Sequence, residues 1–148
     1  MSSWLEALFP GLRGTVWRTT SAADRIYNCI AWAAGQTNAW WWPIVRANDG
    51  NIFWPAGVPL EETIPAFVAA FATVGYIPCD NEILEIGFEE VALFVDSDRI
   101  PSHAARQLNN GQWTSKLGIK EDIEHPLHAI EGEVYGSVVQ ILKRPRSA

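Results

Sequence analysis

Residues 91–117 constrain the fold most. Val91-Ala92-Leu93-Phe94-Val95 is an unbroken apolar run of strand length. Asp96-Ser97-Asp98 reads as a turn or loop, closed by Pro101. Ser102-His103-Ala104-Ala105-Arg106-Gln107-Leu108 alternates as a second strand, and Asn109-Asn110-Gly111 is a hairpin turn signal. Gln112-Trp113-Thr114-Ser115-Lys116-Leu117 is the third strand, ended by Gly118. A meander of this kind needs another layer to cover its apolar face. Helical patterns precede it, so the expected class is α+β: N-terminal helices packed on a small antiparallel β-sheet, in a single domain spanning residues 1–148.

The clearest helical pattern lies just upstream. Ile64, Phe67, Val68, Phe71 and Val74 fall on one face of a helix that opens at Leu60-Glu61-Glu62-Thr63 and stops at Gly75. Pro65 sits in its first turns, where proline is tolerated. Residues 4–9 form a short helix ended by Pro10-Gly11, and residues 13–20 are irregular or extended. Between Gln36 and Pro59 the chain is rich in Pro, Gly and Asn and reads as a long loop. It carries Trp40-Trp41-Trp42, whose rings are expected to form a second small core; the competing reading is an aromatic platform for a ligand. Tyr76-Ile77-Pro78-Cys79 is extended, residues 119–123 are acidic and turn-like or one helical turn, and residues 126–131 make a short helix. Residues 135–142 are a last strand and residues 143–148 a basic, frayed tail.

With eight Trp and 48% hydrophobic residues, the chain is that of a compact folded protein. A net charge of −6 argues against a nucleic-acid binder, which needs a basic patch. Two cysteines make no disulfide framework. The N-terminal residues lack a signal-peptide pattern and no apolar run approaches a membrane span, so a cytoplasmic protein is expected, with no membrane partner. The acidic residues Asp80, Glu82, Glu85, Glu89 and Glu90 read as a solvated face.

Chemistry is concentrated around Tyr27-Asn28-Cys29-Ile30-Ala31-Trp32-Ala33-Ala34-Gly35. Ser21 and Asp24 stand at capping-box spacing ahead of it, and Gly35 is a natural stop. A cysteine at a helix start feels the positive end of the helix dipole, which favours thiolate. The competing role is a small buried packing residue. Cys79 follows Pro78, has no cationic neighbour and is expected to be structural. His103 is either a base for Cys29 or a half-buried strand histidine bonded to backbone. His125 and His128 lack His-x-x-x-His spacing and no Cys-x-x-Cys is present, so no metal or other cofactor is expected.

This arrangement resembles the papain-like cysteine hydrolases, in particular the compact bacterial branch of CHAP amidases and cell-wall endopeptidases. Tyr27-Asn28-Cys29 matches the family's aromatic–Asp/Asn–Cys element at a helix start, and Ser102-His103-Ala104 its strand histidine. Trp113-Thr114-Ser115-Lys116-Leu117-Gly118 resembles the strand that follows. The whole chain also resembles an uncharacterised bacterial family with these motifs. The resemblance implies a papain-like fold with Cys29 as nucleophile and His103 as general base. Ser115 occupies the place of the third residue, and Asp122 and His125 just beyond the strand are the stronger orienting groups. Asn28 would cap the helix or donate to an oxyanion, no Gln precedes the cysteine in the family's manner, and Trp41, Trp42 and Trp113 would contact substrate. The substrate so implied is a peptide or amide-containing molecule such as a cell-wall fragment. The expectation from another class is a non-catalytic binding or interaction domain on the same fold.

Overall fold

The structure, a computed structural model, describes residues 3–44, 50–117 and 120–146. Residues 45–49 of the Trp-rich segment, the strand-ending Gly118, Ile119 of the acidic segment and Ser147-Ala148 of the tail lie outside the described residues. In chain order the elements are α1 (Ser3–Leu8), a 3-10 turn (Pro10–Leu12), β1 (Arg18–Ser21), α2 (Cys29–Ala33), β2 (Trp40–Trp41), β3 (Ile52–Phe53), α3 (Ile64–Ala72), β4 (Ile77–Cys79), β5 (Phe88–Val95), β6 (Pro101–Gln107), β7 (Trp113–Lys116), β8 (Asp122–His125), a 3-10 turn (Leu127–Ile130) and β9 (Ser137–Pro145).

Seven strands form one sheet in the order β1-β8-β7-β6-β5-β9-β4, antiparallel at every pairing. β2 and β3 form a separate parallel pair. The α+β class holds. Strand β5 is paired on both sides, with β6 and β9, so both of its faces can be buried. Its side chains alternate accordingly. Val91 and Leu93 join a core with α2, α3, Trp41 and Trp54. Ala92 and Phe94 join a second core with Leu5, Phe9, Leu12, Trp113, Leu127 and Ile130. The helical cover is therefore on both sheet faces, with α1 and the two 3-10 turns on the second.

Several expectations are corrected. Residues 122–125 are a strand, β8, because Asp122-Ile123-Glu124-His125 pairs with β1 on one side and β7 on the other. The basic tail is ordered through β9: Arg144 donates to Glu89 at 2.5 Å and to the Val74 carbonyl at 2.7 Å, with its guanidinium over the Tyr76 ring. The acidic run is not all solvated, since Glu89 and Glu90 are buried on β5. Helix α3 starts at Ile64, not Leu60, because Thr63 caps it by accepting from the Ala66 N–H. The Trp-rich segment does not build a core of its own. Trp41 and Trp54 are buried in the core of α2 and α3, with Trp54 and Trp42 against Phe67.

Candidate functional site

Cys29 is the first residue of α2. The cap is not the Ser21–Asp24 pair: the Ser21 hydroxyl donates to Asp122, and Asp24 accepts from the Ile26 N–H. Asn28 is the cap. Its Oδ1 accepts from the Ala31 N–H and the Trp41 N–H, both at 3.1 Å, and its Nδ2 donates to the Trp41 carbonyl at 2.7 Å. Both ends of this amide are engaged, so Asn28 ties the cysteine helix to the Trp-rich segment and is not poised to donate to an oxyanion. With five residues, α2 has little macrodipole to offer.

Burial pushes the Cys29 thiol up to about 11, against the pull of the Ala104, Ile30 and Cys29 backbone N–H groups and the Lys116 charge. The expected lowering is thus reversed, because desolvation outweighs these donors. Lys116 is itself buried; its Nζ donates to the Asp24 and Lys120 carbonyls and sits over the Tyr27 ring at 5.1 Å.

His103 lies opposite Phe94 across the β5–β6 ladder and is 1% exposed. Its ring meets Phe94 edge-on at 5.1 Å and stacks on Tyr135 at 3.9 Å with planes 12° apart. Nε2 is 2.9 Å from the Ser115 hydroxyl. That hydroxyl is 2.7 Å from His125 Nε2, and His125 Nδ1 is 2.8 Å from the Pro126 carbonyl. His103 Nδ1 is buried with no hydrogen-bond partner among the described residues. The thiol and this nitrogen are therefore not bonded; the thiol meets the backbone of Ala104, the residue after His103. Burial holds His103 well below the usual imidazole range, with His125 adding to it, and pushes His125 down to about 4.

Ser115 and His125 share a face because Ser115 pairs with Ile123, two residues before His125. Asp122 pairs with Lys116 and takes the opposite face. Its carboxylate accepts from Ser21 and from the Tyr27 hydroxyl, so it does not orient His103. Trp113 is buried in the second core, and Trp42 is half-buried with its Nε1 donating to Glu62. Trp41 and Phe53 line a cavity of about 490 Å³ with Gln36, Asn38 and Thr73. His128 lies between Glu82 and Glu131, apart from His125. Among the described residues no group of three or more His, Cys, Asp or Glu side chains is arranged to hold a metal ion. The Cys79 thiol donates to the Asn81 carbonyl and is raised by burial.

Tyr135 was not foreseen as part of the site. It stands between Phe9 and the His103 ring, and its backbone carbonyl accepts from the Ser102 hydroxyl. Burial, and then the Cys29 charge, raise its phenol. Its sequence signal was the Tyr-Gly step before the last strand: a Cβ on Gly136, at φ +75°, would lie 1.8 Å from the Val95 carbonyl oxygen.

Among the described residues no helix is long and apolar enough to cross a membrane. Comparison with curated proteins and with solved structures gives no match. A family model does match over residues 18–143, which takes in Cys29, His103, Ser115, His125 and Tyr135, and the chain belongs to that family, described as a domain of unknown function (DUF7689).

Proposed function

We propose that the chain is a small papain-like cysteine hydrolase that transfers an acyl group from a peptide or amide substrate, such as a cell-wall fragment, to water. One observation carries this reading. His103 Nε2 is held by Ser115, while Nδ1 is a buried base with no hydrogen-bond partner among the described residues; its ring shares the sheet face of Phe94, and the Cys29 thiol meets the backbone of the adjacent Ala104 from the face of α2. The two side chains stand on opposite faces of β6, so the reaction requires a rearrangement that brings the thiol to Nδ1, of the kind by which catalytic contacts tighten when substrate binds. In the reaction the Sγ proton passes to Nδ1 and the thiolate adds to the carbonyl carbon, moving the C=O electron pair onto oxygen. Collapse forms a thioester and expels the amine, which takes the proton from Nδ1. Water then adds to the thioester, giving its proton to Nδ1. The second collapse releases the acid, and the thiolate regains a proton.

The test is the pH dependence of iodoacetamide alkylation, read at Cys29 and Cys79 separately by peptide mass spectrometry, in the native protein and in His103→Ala. Alkylation of Cys29 near neutral pH that is lost in His103→Ala, with Cys79 unchanged, supports the reading. Cys29 reacting no faster than Cys79, with no response to His103→Ala, overturns it. That result would favour the second reading, a non-catalytic binding or interaction domain. Its own observation is burial: Cys29 is 7% and His103 1% exposed, with no hydrogen bond between them.

A further inference from the structure

The hydrogen bonds behind His103 run in one direction. The Pro126 carbonyl can only accept, so the proton on His125 Nδ1 points to it, at 2.8 Å. A neutral His125 then has a lone pair on Nε2. The Ser115 hydroxyl, 2.7 Å away, donates to it. With its proton committed, the Ser115 oxygen accepts from His103, whose Nε2 is 2.9 Å away and must carry the N–H. The lone pair of His103 is left on Nδ1, the nitrogen with no partner. A serine hydroxyl alone would accept or donate equally well and would fix no tautomer. The direction comes from a carbonyl three bonds down the chain.

We infer that His125 is a positioning residue that acts through Ser115 as a tautomer lock, holding the His103 proton on Nε2 and the lone pair on Nδ1. The lock needs no rearrangement when Nδ1 takes a proton, because Nε2–H keeps donating to Ser115 throughout. It is lost when His125 itself is protonated. Nε2 of His125 then donates to Ser115, whose hydroxyl turns its proton toward His103 Nε2 and drives the His103 proton to Nδ1. The titratable groups around His125 are His103, reached through Ser115, and Glu124 on its own strand, which is paired with Arg18. Burial of His125 keeps the lock closed at neutral pH. The catalytic meaning of the lock rests on the proposed cysteine hydrolase; the proton positions do not.

The experiment is 15N NMR of the labelled imidazoles at pH 7. The chain has three histidines, and a His128→Gln background leaves two. The native ring pattern should show His103 with N–H at Nε2 and bare Nδ1, and His125 with the reverse. Ser115→Thr keeps the hydroxyl and should keep both tautomers. His125→Phe removes the acceptor and leaves Ser115 free to donate or accept, so His103 should become a tautomer mixture. In the same variant Cys29 alkylation at pH 7 should fall toward the His103→Ala level, itself roughly 100-fold below native. Ser115→Ala, a smaller change in volume, serves if His125→Phe does not fold, and should leave His103 as a tautomer mixture. A native His103 with its proton on Nδ1, or an unchanged His103 tautomer in His125→Phe or Ser115→Ala, overturns the lock. Failure of the hydrolase reading looks different: Cys29 alkylation ignores His103→Ala while the tautomers still respond to His125.

Discussion

At the scale of single residues, burial decides which protons are present. His125 is folded with its imidazole at about 4, against an ordinary 6.5, and His103 is shifted the same way. A group whose folded value is depressed binds fewer protons in the folded state than in the unfolded chain. Stability is therefore complete above pH 6.5 and falls as pH drops from 6.5 toward 4. The loss from His125 alone is about 3 kcal/mol. Urea denaturation across this range should show the decline, and His125→Phe should make it shallower. Glu90 has the opposite sign. Burial, then Glu85, raises its carboxyl to about 7 from 4.5, with Oε1 unpartnered. Its contribution is present below pH 4.5 and lost as pH rises through about 7. Glu90→Gln should thus gain stability over the native protein above pH 7 and lose the dependence between 4.5 and 7, read as the difference in urea midpoints.

Two elements depend on one residue each. Gly136, just before β9, holds a conformation that side chains avoid and lies against the Val95 backbone, so Gly136→Ala should cost more than about 2 kcal/mol and shift the His103 ring signals through Tyr135. Asn28 both caps α2 and satisfies the Trp41 backbone; Asn28→Ala should cost about 2 kcal/mol or more, while Asn28→Asp, which keeps the cap acceptor, should cost less, by thermal melting. The cap shows why element boundaries were harder to read than elements. Ser21 and Asp24 carry a capping pattern, but Ser21 is claimed by the β1–β8 pairing, with Asp122 a hundred residues away in sequence. Strand β8 was hidden for a related reason. Asp122 and His125 are polar yet fully buried, and the side chains that satisfy them come from far along the chain: Ser21 and Tyr27 for Asp122, Ser115 for His125. The apolar run of β5 and the alternation of β6 carry their own signal; a polar strand shows only once paired.

Over the whole molecule, the two cores are joined through β5, whose alternate residues supply both. They should unfold together, so Trp fluorescence and far-UV circular dichroism should report one coincident thermal transition. Phe67 is fully buried and packs Trp42 and Trp54 onto α3. Phe67→Ala should cost about 3–5 kcal/mol and lower both signals' midpoints equally. A lowered fluorescence midpoint with an unchanged dichroism midpoint would show that the Trp-rich segment is an independent unit.

The sequence by itself determined the meander and the α+β class, because side-chain periodicity is a local property of the chain. It also marked Cys29 and His103, since a cysteine at a helix start and a histidine on a strand are local patterns. Only the tertiary structure decided how those residues are wired. Strand register put Ser115 and His125 behind His103 and turned Asp122 to the other face; neither follows from spacing along the chain. Burial then reversed the expected charge state of the thiol, because desolvation depends on everything packed around Cys29 and not on its neighbours in sequence.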